Sequence, residues 1–156
     1  MTEEQLHKQI CKYIKLQYPN VLFNTDLSGV KLTKGQANKI KDLRSGRGFP
    51  DITIFESIGR KYVEHENGEN VIVFLFCGLH LEVKKETPYK KDGSLKKETR
   101  KVYKKVGRRR VLIEEYDHLA EQNEVHKRLR KQGYFAVFVW SFDMAKKTID
   151  EYMSIK

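Results

Sequence analysis

The chain has 156 residues, of which 39% are hydrophobic and 33% charged, with two cysteines and a formal charge of +10. A chain of this length buries about two-thirds of its unfolded surface in a single core, so one domain spanning 1–156 is expected, and a multidomain machine, a repeat array or a disordered tail does not fit. The excess positive charge points to a polyanionic partner. Thr2 followed by Gln5 is a capping-box signature, and Leu6, Ile10, Tyr13 and Ile14 then recur at helical spacing until Pro19-Asn20. An amphipathic helix opens the chain. Its first residues, Thr2-Glu3-Glu4-Gln5, are polar where a secretory leader would be basic and then apolar, so a reducing, cytoplasmic setting is expected.

Asn24 to Gly48 is polar and holds Gly29, Gly35, Gly46 and Gly48; it reads mostly as connection, with a short helix at about Gln36 to Leu43. After Pro50, Asp51 to Phe55 alternates with period two, and Asn67-Gly68 marks a hairpin turn ahead of Val71 to Phe76. These predict strands of one meander. The longest apolar run, Val71 to Leu79, is far shorter than the ~20 residues of a membrane-crossing helix. Leu79 to Lys84 also alternates, which puts Leu79, Leu81 and Val83 on one side and His80, Glu82 and Lys84 on the other.

A helix is predicted from about Glu114 to Lys131, with Leu119, Val125 and Leu129 on one face and Gln132-Gly133 ending it. Tyr134 to Trp140 is the clearest buried strand, and a closing helix carries Ala145, Ile149, Tyr152 and Met153 on one stripe. The order implies an α/β fold of α+β character, a single mixed β-sheet flanked by helices. Cys11 and Cys77 sit among apolar neighbours without zinc spacing and read as buried thiols. His80, His118 and His126 have no spacing partners and read as structural, although His80 shares the face of Glu82.

The charge is concentrated. From Lys84 to Arg110 thirteen Lys/Arg face only Glu86, Asp92 and Glu98, which accounts for the whole +10 of the chain. Pairs such as Lys84-Lys85, Lys90-Lys91, Lys96-Lys97 and Lys104-Lys105 lead to Arg108-Arg109-Arg110, with Tyr89 and Tyr103 interleaved. A basic insertion at about 86–112 of this kind releases counterions from phosphates and binds nucleic acid without regard to sequence; the plainer reading is a solvated surface excursion.

Magnesium takes hard oxygen ligands, usually one or two carboxylates with waters, and a phosphodiesterase needs them at a strand end that a phosphate can approach. Asp51, which follows Gly48-Phe49-Pro50, and Glu82, on the polar side of the next long strand, answer that description. Lys84 points the same way as Glu82 by period-two geometry and is placed to hold the attacking water or the developing phosphate charge. Glu-x-Lys alone is a weak signal, but here it occurs once, at the end of an apolar strand after the only Pro-Asp of the chain. The plain alternatives are a turn aspartate and a surface cross-strand pair.

Gly48-Phe49-Pro50-Asp51, Leu81-Glu82-Val83-Lys84-Lys85, Glu121-Gln122 opening a helix and Gly133-Tyr134-Phe135-Ala136 entering a strand resemble the virus-type replication-repair (VRR-NUC) branch of the PD-(D/E)xK phosphodiesterases. The resemblance covers most of the chain and implies a restriction-endonuclease-like mixed sheet and metal-dependent hydrolysis of DNA leaving a 5′-phosphate. It implies metal ligation by Asp51 and Glu82, with the Val83 carbonyl as a third ligand, and orientation of the water by Lys84. The early helical acid of the family is matched by Glu3, which would reach the metal through water; the alternative is an acid stabilising the positive helix end. Gln122 lies on the apolar face of its helix, between Leu119 and Val125, and would position water or phosphate, or else bond a neighbouring backbone. The basic stretch from Glu86 to Arg110 departs from the compact members of the family and leaves substrate preference open.

The expected activity is in-line attack of a lysine-oriented water on a DNA phosphodiester with one or two Mg²⁺, Mn²⁺ substituting. Arg44, Arg47, Lys85, Lys90, Lys91, Lys96, Lys97, Arg108, Arg109 and Arg110 would hold the nucleic acid. Nothing in the sequence looks like a major-groove recognition device, so branched, flapped or nicked DNA is expected over a base sequence. A homodimer would suit a four-way junction, and the sequence leaves the oligomeric state open. The alternative class is a basic nucleic-acid-binding protein without catalysis; RNA in place of DNA is a second enzyme reading.

Overall fold

The computed structural model describes residues 1–26, 33, 35, 39, 47–64 and 70–155. The short helix expected at Gln36 to Leu43, the turn at Asn67-Gly68 and Arg44 lie outside these residues. In chain order the elements are α1 (Glu3–Gln17), β1 (Phe23–Thr25), β2 (Ile52–Ile54), β3 (Ile58–Glu64), β4 (Asn70–Phe76), β5 (Leu79–Val83), β6 (Thr99–Val106), β7 (Arg109–Asp117), α2 (His118–Lys131), β8 (Phe135–Val139) and α3 (Phe142–Ser154). Helix α1 starts where the capping box predicts: the Gln5 amide donates to Thr2 Oγ1 at 3.1 Å and the Thr2 amide to Gln5 Oε1 at 2.8 Å.

The sheet that organises the molecule has the order β1-β2-β5-β8, with β5 and β8 parallel and the other pairs antiparallel. On one face Ile52, Ile54, Leu79, Leu81, Val83 and Val139 pack with Leu6, Ile10 and Ile14 of α1 and with Ala145, Ile149 and Tyr152 of α3. Against the other face lies α2, which buries Leu119, Gln122, His126 and Leu129; the His126 ring centroid is 4.5 Å from that of Phe138. Strand β5 is therefore buried on both faces, and its polar residues His80 and Glu82 are enclosed rather than solvated. This is the helix-flanked mixed sheet that the element order predicts.

Several boundaries differ. The single meander is split: β3 and β4 form a two-stranded sheet of their own. Strand β5 has only two edges, and β2 and β8 occupy both, so β4 has no place beside it. Strand β1 runs from Phe23 into the start of what reads as connection; three residues are too few to show a period, and its pairing with β2 supplies what the pattern does not. From Thr99 the basic stretch is a regular antiparallel hairpin, β6–β7, which runs on to Asp117 and is exposed along nearly all its length, while 86–98 before it is not part of the ribbon. Consequently α2 begins at His118 instead of Glu114, because Glu114 to Asp117 pair with Thr99 to Val102 and the Asp117 carboxylate then accepts from the Ala120 amide at 3.3 Å. On α2 it is His126, not Val125, that joins the buried stripe. Cys77 is exposed and Cys11 only half-buried, so neither is the enclosed thiol its apolar neighbours imply. Among the described residues no helix is long and apolar enough to cross a membrane.

Candidate active site

Antiparallel pairing of β2 with β5 places Ile52 opposite Leu81 and Thr53 opposite His80, so Asp51, one residue earlier, comes beside Glu82. Lys84 extends the ladder: its amide donates to the Val139 carbonyl at 2.8 Å, which keeps its side chain on the Glu82 face. From α2, Gln122 enters the same face. Asp51, Glu82, Lys84 and Gln122 are 7%, 2%, 8% and 4% exposed, so four chemically active side chains share one enclosed corner where strand β2 begins and strand β5 ends.

Their contacts fix their orientation. The Val83 amide donates to Asp51 Oδ2 at 2.8 Å. Lys84 Nζ lies 3.0 Å from Glu82 Oε1, and Gln122 Nε2 donates to that same oxygen. Glu82 Oε1 is thus held by two donors, while Oε2, also buried, has no hydrogen-bond partner among the described residues. Val83, whose carbonyl is the expected ligand atom, also holds Asp51 in place through its amide.

Gly48 explains how Asp51 reaches this position. At φ 78° it occupies backbone space that other residues rarely adopt, and a Cβ there would sit 3.1 Å from the backbone of Gln122. Only glycine lets the Gly48-Phe49-Pro50 approach lie directly on α2. The loop, the strand end and the helix are mutually seated.

Burial holds the Glu82 carboxyl well above the usual carboxylate range; Asp51 and Glu3 add to this and Lys84 opposes it. Glu3 arrives from the other layer, at the first turn of α1. Partial burial raises its carboxyl, Lys84 counters, Asp51 and Glu98 reinforce, and the Lys85 backbone hydrogen-bonds it. Glu82 and Glu3 thus both feel the Lys84 ammonium and the Asp51 carboxylate. His80, with Nδ1 2.9 Å from Thr53 Oγ1, and His118 are lowered by burial to about 4, and His126 to about 3. All three are neutral packing groups near neutral pH.

The surrounding cations divide. Lys85, Lys96 and Lys97 line, with Glu3, Lys84 and Glu98, a cavity of about 270 Å³ that opens beside the cluster. Arg47 makes a bidentate ion pair with Glu114 at 2.9 and 2.7 Å and lies 4.5 Å over the Tyr116 ring, so it ties the approach loop to the hairpin root. Lys90 and Lys91 are exposed in a turn closed by the Tyr89–Leu95 bridge, and Arg108, Arg109 and Arg110 stand at the hairpin tip. Glu98 and Glu114, which organise the cavity and the root, have no motif that marks them in the sequence.

Among the described residues no group of three or more His, Cys, Asp and Glu side chains converges as a metal site. A site of two carboxylates does not suit zinc, but it does suit magnesium, which retains several waters and needs one or two carboxylates. Glu82 Oε2, buried beside Asp51 and without a hydrogen-bond partner among the described residues, is the kind of hard donor such an ion takes.

A mixed sheet with helices on both faces and acidic residues at adjoining strand ends defines an α+β fold whose polar centre lies between strand ends and α2. Among solved structures the chain is similar to a VRR_NUC domain protein, with 16% identity and a TM-score of 0.57 over 100% of this chain and 91% of that chain. At that identity the likeness is one of fold. No family model matches the sequence, and no curated protein matches it.

Proposed function

We propose that this chain is a metal-dependent DNA endonuclease that selects branched, flapped or nicked DNA by structure. The observation that carries the reading is the enclosure of Asp51, Glu82, Lys84 and Gln122 in one corner at adjoining strand ends. Its support from likeness is the fold shared with a protein named for the VRR_NUC domain.

Each side chain has a role in this reading. Asp51, its rotamer fixed by the Val83 amide, and Glu82, through Oε2, hold Mg²⁺ or Mn²⁺, with the Val83 carbonyl as a further ligand. When bound, the ion supplies charge neutralisation at the phosphate and a lowered pKa for water. Lys84, fixed on Glu82 Oε1, orients the attacking water and stabilises the developing negative charge. Gln122 donates to the same oxygen and so keeps Glu82 turned with Oε2 toward the substrate. Glu3 completes the acidic rim and orders water. The lysine-lined cavity takes the adjoining phosphates. An intracellular setting belongs to the same reading, in keeping with two free cysteines.

The test is cleavage. Purified protein is incubated with nicked, flapped and four-armed DNA and with an RNA counterpart, in Mg²⁺, Mn²⁺ or EDTA, beside Asp51→Asn and Lys84→Ala. The expected result is metal-dependent cleavage of the branched DNA that EDTA and both substitutions abolish. Tight, salt-sensitive binding without cleavage in either metal would leave a non-catalytic binding protein, and preferential cleavage of RNA would change the substrate while keeping the chemistry.

A further inference from the structure

The β6–β7 hairpin has two halves of different character. At its root, charges meet their opposites: Arg100 is 2.7 Å from Glu98, Lys101 3.3 Å from Glu115 and Arg47 2.7 Å from Glu114. Past the irregularity between Val102 and Tyr103 come Lys104, Lys105, Arg108, Arg109 and Arg110, with no acid before Glu114. Among the described residues none of these cations forms an ion pair.

Cross-strand partners share a face. Lys105 faces Arg110 and Tyr103 faces Leu112 on one side of the ribbon, while Lys104 faces Val111 and Val106 faces Arg109 on the other. Both faces of the distal half are therefore basic. Both also expose apolar surface, with Tyr103 48%, Val106 57% and Leu112 46% exposed, and the Arg110 guanidinium lies 5.8 Å from the Tyr103 ring centroid.

A basic surface that lies flat on a polyanion needs one cationic face. Two cationic faces with apolar side chains between them suit an occupant with phosphate walls on both sides and bases on its floor. The major groove of a duplex, about 12 Å wide, has that form and admits a two-stranded ribbon; a single strand presents one backbone only. At ~3.4 Å per residue the ribbon reaches roughly 25 Å from its root. The root runs directly into Asp117, the N-cap of the helix that carries Gln122, so a duplex gripped by the tip is held in register with the candidate active site.

We propose that the distal half of the β6–β7 ribbon, 103–112, is a duplex-binding arm that enters the major groove, its cations contacting both phosphate walls. The identity of the polyanion as DNA rests on the function proposed above.

Binding is measured in EDTA, where cleavage does not intervene, by fluorescence anisotropy of a labelled 20-base-pair duplex and of one of its strands across a salt series. The full-length protein is compared with a tip variant carrying Lys104→Ser, Lys105→Ser, Arg108→Ser, Arg109→Ser and Arg110→Ser, and with a root variant carrying Lys101→Ser. The tip variant should bind the duplex at least ~10-fold more weakly, with a salt slope shallower by about 1 for each phosphate no longer neutralised, and its affinity for the single strand should fall much less; the root variant should bind the duplex like wild type. Unchanged duplex affinity in the tip variant overturns the arm. So does an equal weakening for both probes, which makes the tip a general anion patch, or conversion of a sedimenting dimer to a monomer, which makes it a self-association surface. Tip-dependent duplex binding by a protein that cuts nothing in Mg²⁺ would keep the arm and sink the nuclease; branched-DNA cleavage by a tip variant that binds like wild type would do the reverse.

Discussion

The site corner and the hairpin tip are both charge imbalances, of opposite sign and in opposite surroundings. In the corner, Asp51, Glu82 and Glu3 outnumber Lys84 where the central side chains are almost fully buried, so every uncompensated charge is costly. At the tip, Lys104 to Arg110 outnumber nothing but water, where screening keeps the repulsion small. The first imbalance is held in place by packing and, in the proposed function, would be relieved by a small cation; the second stands in solvent and, in the proposed arm, would be relieved by a long anion. If function explains the corner, its excess of buried acid should work against stability, while the cations of the tip should be neutral toward it.

The largest expected effect breaks the corner from the cationic side. Lys84→Met removes the ammonium paired with Glu82 and leaves the buried Asp51 and Glu82 carboxylates beside each other. It should abolish cleavage, by 10²-fold or more, and cost about 3–5 kcal/mol of stability. Glu82→Gln tests the same imbalance from the acidic side: cleavage is lost, but thermal unfolding in EDTA at neutral pH should shift upward, because the mutation removes the charge that burial most disfavours. A fall in the melting temperature of Glu82→Gln would show that Glu82 is a structural ion-pair partner of Lys84 rather than a strained ligand.

Next in size is Gly48→Ala. The substitution imposes a side chain at φ 78° and 3.1 Å from the Gln122 backbone, which should cost about 1–3 kcal/mol and lower cleavage by moving Asp51 relative to Glu82. Equal activity and stability to wild type would mean that loop and helix are not seated on each other.

Much of this corner is legible in the sequence because three local signals agree. Period two puts Glu82 and Lys84 on one face, Pro-Asp marks the strand start, and an amide at Gln122 is anomalous on an apolar helical stripe. The opening and closing helices and β8 are legible for the same reason, each combining a cap or terminator with a regular apolar pattern. The fold's remaining parts depend on partners that no local pattern names. Strand β1 is too short to show a period. Val71 to Phe76 has strand character, but nothing in it says that β5 is already paired on both edges. Strands β6 and β7 are made from Lys and Arg, which are poor strand formers, with apolar residues at 102, 103, 106, 111, 112 and 113 that follow no period of two. His126 escapes the apolar pattern because histidine reads as polar, whereas burial keeps its ring neutral.

That neutrality gives a smaller prediction of definite sign. His126 takes up its proton near pH 3 in the fold and near 6.5 when unfolded, so between these values the unfolded chain binds more protons and stability is lost as pH falls. Replacing His126 with Leu, which keeps the contact with Phe138 apolar, should flatten the loss below pH 6.5 by one proton, or about 1.4 kcal/mol per pH unit. Denaturant melts at pH 5 and pH 7 measure it, and an unaltered pH slope would mean that the ring is charged in the fold and has a polar partner.

The smallest effect belongs to the tip and completes the contrast with the corner. Serine at Lys104, Lys105, Arg108, Arg109 and Arg110 removes exposed cations that make no ion pair among the described residues, so each change should alter stability by no more than about 0.5 kcal/mol, and in aggregate should favour folding slightly at low salt by relieving like-charge repulsion. A cooperative destabilisation would mean that the ribbon packs against the body of the protein through its tip. That outcome would make the two cationic faces a consequence of internal structure, and the proposed difference between a buried imbalance kept for a metal and an exposed one kept for a polyanion would no longer hold.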